Sequence, residues 1–218
     1  MPLWYIWPSA FQSLVRVCKS LFAMLLVHMF YIFAYSEIVL SFGDLDGNLV
    51  DATQFAKINS HGRVVGLNLP ATGIWMGNHQ IYTDWVYMCR ALSVYADLEA
   101  NFYIVMKDSL RRIPILGYYM GLLQFFFLSR NWEKDQARLK TTLQSILETG
   151  PSKLALLLYP EGTNISRNTI RKSHNYSASH NKPMLQNVLL PHSTGLYFCT
   201  KTIQSKLPNT YILVRRIA

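Results

Sequence analysis

The chain has 218 residues, half of them hydrophobic and only 15% charged, with a formal net charge of +9. That length supports one sizeable domain with a small appendage and argues against two ordinary domains. Few charges beside so much apolar surface suit a protein resting on an anionic membrane rather than a freely soluble domain. The basic residues are scattered among apolar segments and no nucleic-acid motif is present, so no nucleic-acid partner is expected.

Leu3 to Val15 is apolar and aromatic, is interrupted by Pro8, and precedes Arg16 and Lys19. From Ser20 to Ser36 the chain runs for 17 uncharged residues before Glu37, the lower edge of what a bilayer-spanning helix needs. The late start and the lack of a small-x-small cleavage site speak against a secretory signal. Arg16 and Lys19 before the run, with Asp44, Asp46 and Asp51 after it, put the N-terminus of a single span in the cytoplasm and the rest of the chain in the lumen. A two-helix hairpin made of Leu3 to Val15 and Ser20 to Leu40 would return the chain to its starting side. Residues 1–42 therefore read as a membrane-associated helical segment and 43–218 as the main domain.

Gly43 to Gly47 reads as a linker; it looks like half of a calcium loop but lacks the ligand pattern and closing Glu, so no metal is expected there. Asn48 to Lys57 is expected as a short helix, Arg63 to Leu69 and Gly73 to Gly77 as strands, and Gln80 to Arg90 as a helix. Phe102 to Met106 is a continuous apolar run, as in a strand buried on both faces. Pro114, Gly117 and Gly121 break the next apolar run into a helix ending near Gly121 and a strand from Leu123 to Leu128, with Arg111 and Arg112 placed to meet lipid headgroups. Trp132 to Thr149 carries Leu139, Leu143, Ile146 and Leu147 at helical spacing, the clearest amphipathic helix in the chain. Leu154 to Tyr159 is a further buried strand; Ile165 to Pro183 is polar and basic, a solvated loop or a flap meeting phosphate or the bilayer. Asn187 to Leu190 and Tyr211 to Val214 complete the strands. The alternation predicts an α/β fold, a central mostly parallel sheet flanked by helices and preceded by an N-terminal membrane helix or helical hairpin.

Cys18, Cys89 and Cys199 are odd in number and far apart, so reduced thiols are expected, and neither they nor the histidines show zinc-ligand spacing. The stretch that carries chemistry is Asn78-His79-Gln80-Ile81-Tyr82-Thr83-Asp84-Trp85. On one helix, five residues turn through about 500°, which would leave His79 and Asp84 about 140° apart. They can meet if His79 lies in the loop after the strand and Asp84 in the second turn of the helix, the arrangement of an oriented general base. A single His-Asp pair is more often an ordinary hydrogen-bonded pair; its weight comes from three further blocks, Phe125 to Arg130, Tyr159 to Asn164 and Leu189 to Gly195.

In that order, the blocks resemble the 1-acylglycerol-phosphate acyltransferase family, whose first block is Asn-His-x-x-x-x-Asp. The fuller form with Gln80 and Trp85 looks most like the branch that includes lysocardiolipin and lysophosphatidylinositol acyltransferases. The resemblance spans roughly Gly73 to Tyr197. It implies transfer of an acyl group from acyl-CoA, a co-substrate, to the free hydroxyl of a lysophospholipid, with no bound cofactor and no metal. His79 would be the general base, oriented by Asp84. Asn78 would sit beside it in the substrate site. Phe127-Leu128-Ser129-Arg130 matches the family's Phe-Ile-x-Arg, whose arginine meets the glycerol-phosphate headgroup. Pro160-Glu161-Gly162-Thr163-Asn164 keeps all but the last residue of Pro-Glu-Gly-Thr-Arg, so Glu161, Gly162 and Thr163 would shape the acceptor site, with Arg167 available for the missing arginine. In the fourth block, Leu190-Pro191-His192-Ser193-Thr194-Gly195, Pro191 is retained and His192 stands where the family has arginine. No Gly-x-Ser-x-Gly is present, so the two substrates are expected to react directly rather than through an acyl-serine.

Because acyl-CoA is mainly cytosolic, the resemblance favours the hairpin, a cytosolic domain on the endoplasmic reticulum or mitochondrial membrane, and unmodified sequons at Asn164 and Asn175. The family continues beyond a strand like Tyr211 to Val214, so the catalytic layer is expected to be truncated at its C-terminus. A catalytically silent member acting as a membrane scaffold or lipid-binding protein is the alternative suggested by His192.

Overall fold

A computed structural model of the chain describes residues 6–34, 39, 41–43, 48–68, 72–95, 98–129, 131–149, 153–207 and 211–215. It comprises two compact units, Met1–Ala71 with Trp85–Phe102, and Thr72–Asp84 with Tyr103–Ala218.

The first unit contains α1 (Pro8–Phe33), a single helix of 26 residues with proline where its missing N–H costs nothing. This corrects the expected hairpin. After Pro8 the segment holds neither proline nor glycine, so nothing breaks it between Val15 and Ser20, and Arg16 and Lys19 lie within the helix. At about 1.5 Å per residue it is roughly 39 Å long, enough for a hydrocarbon core of about 30 Å. Its most apolar window has a mean hydropathy of 1.6 and is only 17% buried. Gln12, Val15, Lys19 and Ala23 form one buried stripe at three- and four-residue spacing. Phe22 stacks on Trp85 at 6.4 Å and Phe30 meets Tyr87 edge-on at 5.2 Å, both on α2 (Asp84–Tyr95). Leu14, Val17, Leu21, Met24, Leu25 and Ile32 are exposed.

The short helix expected over Asn48 to Lys57 does not form. The Asp51 side chain accepts from the Thr53 N–H and closes a single 3-10 turn, Ala52–Gln54, after which β1 (Ala56–Ile58) pairs antiparallel with β2 (Val64–Leu67). From residue 44 to 47 the expected linker lies outside the described residues.

The sheet is built from β3 (Thr72–Gly77), β4 (Phe102–Lys107), β5 (Phe126–Leu128), β6 (Leu154–Leu158) and β7 (Tyr211–Arg215), in the order β5-β4-β6-β3-β7. β3 pairs in parallel with β6 and β7, as β4 does with β5. β6 is buried throughout, as its unbroken leucine and alanine sequence requires. Leu139, Leu143 and Ile146 of α4 (Trp132–Thr149) and Cys199 and Ile203 of α6 (Ser193–Gln204) pack with Ile74, Tyr103, Phe126, Leu154, Leu156 and Leu158 into one core. The expected α/β class, parallel pairing and bounds of α4 are thus borne out.

Two expectations in the second unit fail. The segment from Ile165 to Pro183 is a helix, α5 (Arg167–Ser179), rather than a loop or flap. A capping box starts it: the Ser166 hydroxyl accepts from the Thr169 N–H, and the Thr169 hydroxyl accepts from the Ser166 N–H. Asn187 to Leu190 is not a strand. Its backbone is satisfied by side chains instead, with the Leu189 N–H donating to Glu161 and the Leu190 N–H to Ser173 on α5. Helix α6 was not anticipated, and the shorter α3 (Leu116–Leu122) precedes a β5 that begins three residues later than predicted.

Replacing the fully buried Leu143 with alanine should cost about 2–5 kcal/mol in denaturant unfolding. The same change at exposed Lys140 should stay within about 0.5 kcal/mol. Equal costs at the two positions would contradict the packing of α4 on the sheet.

Candidate active site

Parallel pairing brings the first and third blocks off the sheet side by side. Met76 of β3 is in register with Leu158 of β6, and His79 and Glu161 each stand three residues beyond. Ligands of open parallel sheets gather at such carboxyl ends.

His79 lies in the loop before α2, as predicted, whereas Asp84 is the first residue of that helix rather than part of its second turn. One carboxylate oxygen, Asp84 Oδ2, collects three donors: Gln80 N–H at 2.7 Å, Ile81 N–H at 3.0 Å and His79 Nδ1 at 3.2 Å. A carboxylate can only accept, so the bridging proton belongs to Nδ1 and the accepting lone pair of the neutral ring to Nε2. Asp84 is fully buried, and its Oδ1 makes no hydrogen bond among the described residues. Burying a carboxylate is expensive without donors, and these three, together with the positive end of α2, offset that cost. The imidazole stacks on Tyr159, with centroids 4.4 Å apart and planes 19° from parallel. Its backbone is pinned at both ends: His79 N–H donates to Glu161 Oε1 at 3.2 Å, and its carbonyl accepts from Ile165 N–H at 2.9 Å. The ring keeps 18% of its surface accessible, and Nε2 makes no hydrogen bond among the described residues.

Glu161 is buried and ties three blocks together, since its second oxygen accepts from Leu189 N–H at 3.2 Å. It shapes the site through loop backbones. Gly162 closes a turn to the Tyr159 carbonyl with φ of 68°. An added Cβ there would meet the nearest atom, His192 Cδ2, at an ordinary 3.7 Å, so this glycine answers to backbone conformation rather than to space. His192 donates its N–H to the Pro160 carbonyl at 2.9 Å, which seats the fourth block against the third.

Thr163 is half-buried and makes no hydrogen bond among the described residues; Asn78 is half-buried, and Pro191 and Arg167 are exposed. Arg130 lies outside the described residues. The residue before it is clamped, with Ser129 donating through both N–H and hydroxyl to Asp135 Oδ1, at 2.8 and 2.9 Å. A cleft of about 220 Å³ opens where the parallel strands β4 and β5 end, lined by Lys107, Asp108, Ser109, Arg112, Leu128 and Ser129.

Sequence reasoning missed Tyr159, Asp135 and the approach of Asn164, whose side-chain nitrogen stands 3.4 Å from His79 Nδ1. Asp135 left a readable signal, a carboxylate on the stripe that continues through Leu139, Leu143 and Ile146. No group of three or more metal-binding side chains occurs among the described residues. Burial pushes the Cys199 thiol up to about 12 and the Cys89 thiol higher still, so neither offers a thiolate nucleophile.

Residues 61–212 match the family model described as Acyltransferase. The chain belongs to the Acyltransferase family. The resemblance carried by its four blocks is therefore borne out. This acyltransferase-family chain is 34% identical over 176 residues to the 2-acyl-1-lysophosphatidylinositol acyltransferase of Saccharomyces cerevisiae, across 66% of this chain and 44% of that one. It is 32% identical over 222 residues to an uncharacterized acyltransferase of the same yeast, covering 92% of this chain and 54% of the other. To lysocardiolipin acyltransferase 1 of Gallus gallus it is 30% identical over 127 residues, 58% of this chain and 33% of that protein. The chain spans about half the length of the curated relatives it matches. No solved structure gives a significant match.

Exchanging Glu161 for glutamine keeps one accepting oxygen and turns the other against an N–H donor. A buried donor left unpaired costs about 1–3 kcal/mol, so the amide of His79 or Leu189 should exchange with deuterium roughly ten-fold faster or more. Unchanged exchange at both would remove Glu161 as the tie.

Proposed function

We propose that the chain transfers a fatty acyl group from acyl-CoA to the free hydroxyl of a lysophospholipid. The observation that carries this reading is the orientation of His79: Nδ1 held on a buried carboxylate at 3.2 Å, with Nε2 unengaged on a partly accessible ring. Nε2 takes the hydroxyl proton as the acceptor oxygen attacks the thioester carbonyl, and Asp84 stabilises the imidazolium that results. Collapse of the tetrahedral intermediate breaks the C–S bond, and the imidazolium returns its proton to the departing CoA thiolate. No covalent acyl-enzyme is formed, in keeping with the buried, protonated thiols. Lys107 at the cleft supplies a cationic group for a headgroup phosphate, with Arg130 following Ser129 in the chain. Asn78, Gly162, Thr163 and Pro191, on the loops of His79, Glu161 and Leu189, are assigned to the acceptor side of the reaction, and Glu161 positions those loops.

His79→Ala should abolish turnover of labelled acyl-CoA with a panel of lysophospholipids. Asp84→Asn should lower it by about 10²–10⁴-fold, with the fold retained. Full turnover in either variant would remove the mechanism. Lipid binding by a wild-type chain that turns over no lysophospholipid would favour a silent lipid-binding protein.

The same reading places the chain on the endoplasmic reticulum membrane with the site facing the cytosol where acyl-CoA is found; Arg16 and Lys19 lie inside the single helix α1 rather than on its flank, so they do not act as flanking charges that would send the site to the lumen. Asn175 is exposed on α5 within a glycosylation sequon and serves as a reporter of that face. In microsomes of glycosylating cells it should carry no glycan. A glycosidase-sensitive mass shift abolished by Asn175→Gln would put the site in the lumen.

A further inference from the structure

The segment from Asp108 to Leu122 carries a surface the proposed chemistry does not use. It opens with a 3-10 turn, Asp108–Arg112, passes through Pro114 and Ile115, and ends in α3. Ile115 adopts φ of 65° and ψ of −58°, and the Leu116 N–H closes onto the Pro114 carbonyl at 2.7 Å. This is a γ-turn of the strained kind, rare for any residue and rarer for a β-branched one. It points Ile115 outward, leaving 81% of it exposed.

Around it Ile113, Leu116, Tyr118, Tyr119 and Leu122 are also exposed. At 100° per residue, the four on α3 span an arc of about 160° that contains no charged or amide side chain. A water-facing helix normally places its polar residues there. Beside this face stand Arg111 and Arg112, exposed and without an ion pair among the described residues. They are held close by Gly117, where a Cβ would overlap the Arg111 carbonyl. Apolar side chains, interfacial tyrosines and two unpaired arginines in one short segment match a bilayer that exposes acyl chains beneath anionic headgroups.

We propose that this segment docks onto an anionic phospholipid bilayer, with Ile115 and the outer face of α3 inserted at the headgroup level and Arg111 and Arg112 on the lipid phosphates. The proposal localises the lipid contact to a surface other than α1 and does not require acyl transfer, so its test needs no turnover.

The full chain, with Cys18→Ser and Tyr118→Cys, would be labelled with bimane and reconstituted into vesicles of phosphatidylcholine with or without phosphatidylserine. Cys89 and Cys199 are buried and should not label. With phosphatidylserine present, brominated lipid should quench the probe and iodide should not, while a label at exposed Lys140→Cys stays open to iodide. Arg111→Ala with Arg112→Ala should lower the ratio of docked to undocked probe roughly thirty-fold, and Ile115→Asp should also release it. Iodide quenching in both vesicle types overturns the proposal. So does protection that rises with protein-to-lipid ratio, which marks a second copy as the partner, and so does lipid quenching indifferent to phosphatidylserine and both arginines.

Discussion

Three donors on a single oxygen of Asp84 hold the front of the site in place. Two are the backbone N–H groups of Gln80 and Ile81 and the third is His79 Nδ1. The backbone pair folds the loop back over the start of α2, and that fold brings the imidazole within reach of a carboxylate five positions along. Without the reversal, the spacing from residue 79 to residue 84 would place the two on different sides of a helix. The same acid therefore shapes the loop, sits at the positive end of a helix and fixes which ring nitrogen carries the proton.

Glu161 repeats the device on the neighbouring strand. β3 and β6 run parallel in matched register, so the two loops emerge together and need something to join them. A buried carboxylate with one oxygen on His79 N–H and the other on Leu189 N–H does this, and it also brings in the fourth block. Asp135 does the same for Ser129 at the end of β5. In each case a buried acid accepts main-chain N–H groups from a loop that has no strand partner, meeting the needs of both.

The layers of the fold were legible in the sequence because burial imposes periodicity. Leu154 to Leu158 could only be a strand covered on both faces, and Leu139, Leu143 and Ile146 set α4 to within a residue. Segments whose shape depends on polar contacts were not legible in that way. α5 has no apolar stripe, and its start is fixed by a Ser166–Thr169 capping box that resembles loop composition. Asn187 to Leu190 looked like a strand because Val188, Leu189 and Leu190 are consecutive apolar residues, yet Leu189 and Leu190 bond to side chains of Glu161 and Ser173. The unbroken α1 follows from the absence of a helix breaker after Pro8; two charges are too weak a signal for a bend. The His-Asp pairing was visible as a spacing, whereas Tyr159 and Asn164 reach His79 only through the parallel register of β3 and β6.

The positions where the chain departs from the family pattern gain meaning from this geometry. Residue 164 is not remote from His79: its amide nitrogen lies 3.4 Å from Nδ1. A guanidinium at that distance would stand against any positive charge on the ring, and at such separations like charges repel by several kcal/mol unless water screens them. A neutral amide avoids that repulsion, and turned over it presents its oxygen to the same Nδ1 proton that Asp84 holds. His192 donates its N–H to the Pro160 carbonyl, so the second departure adjoins the same turn. Asn164 thus puts a neutral amide beside the imidazole, and the Asp84 carboxylate at 3.2 Å is the acid that meets its ring.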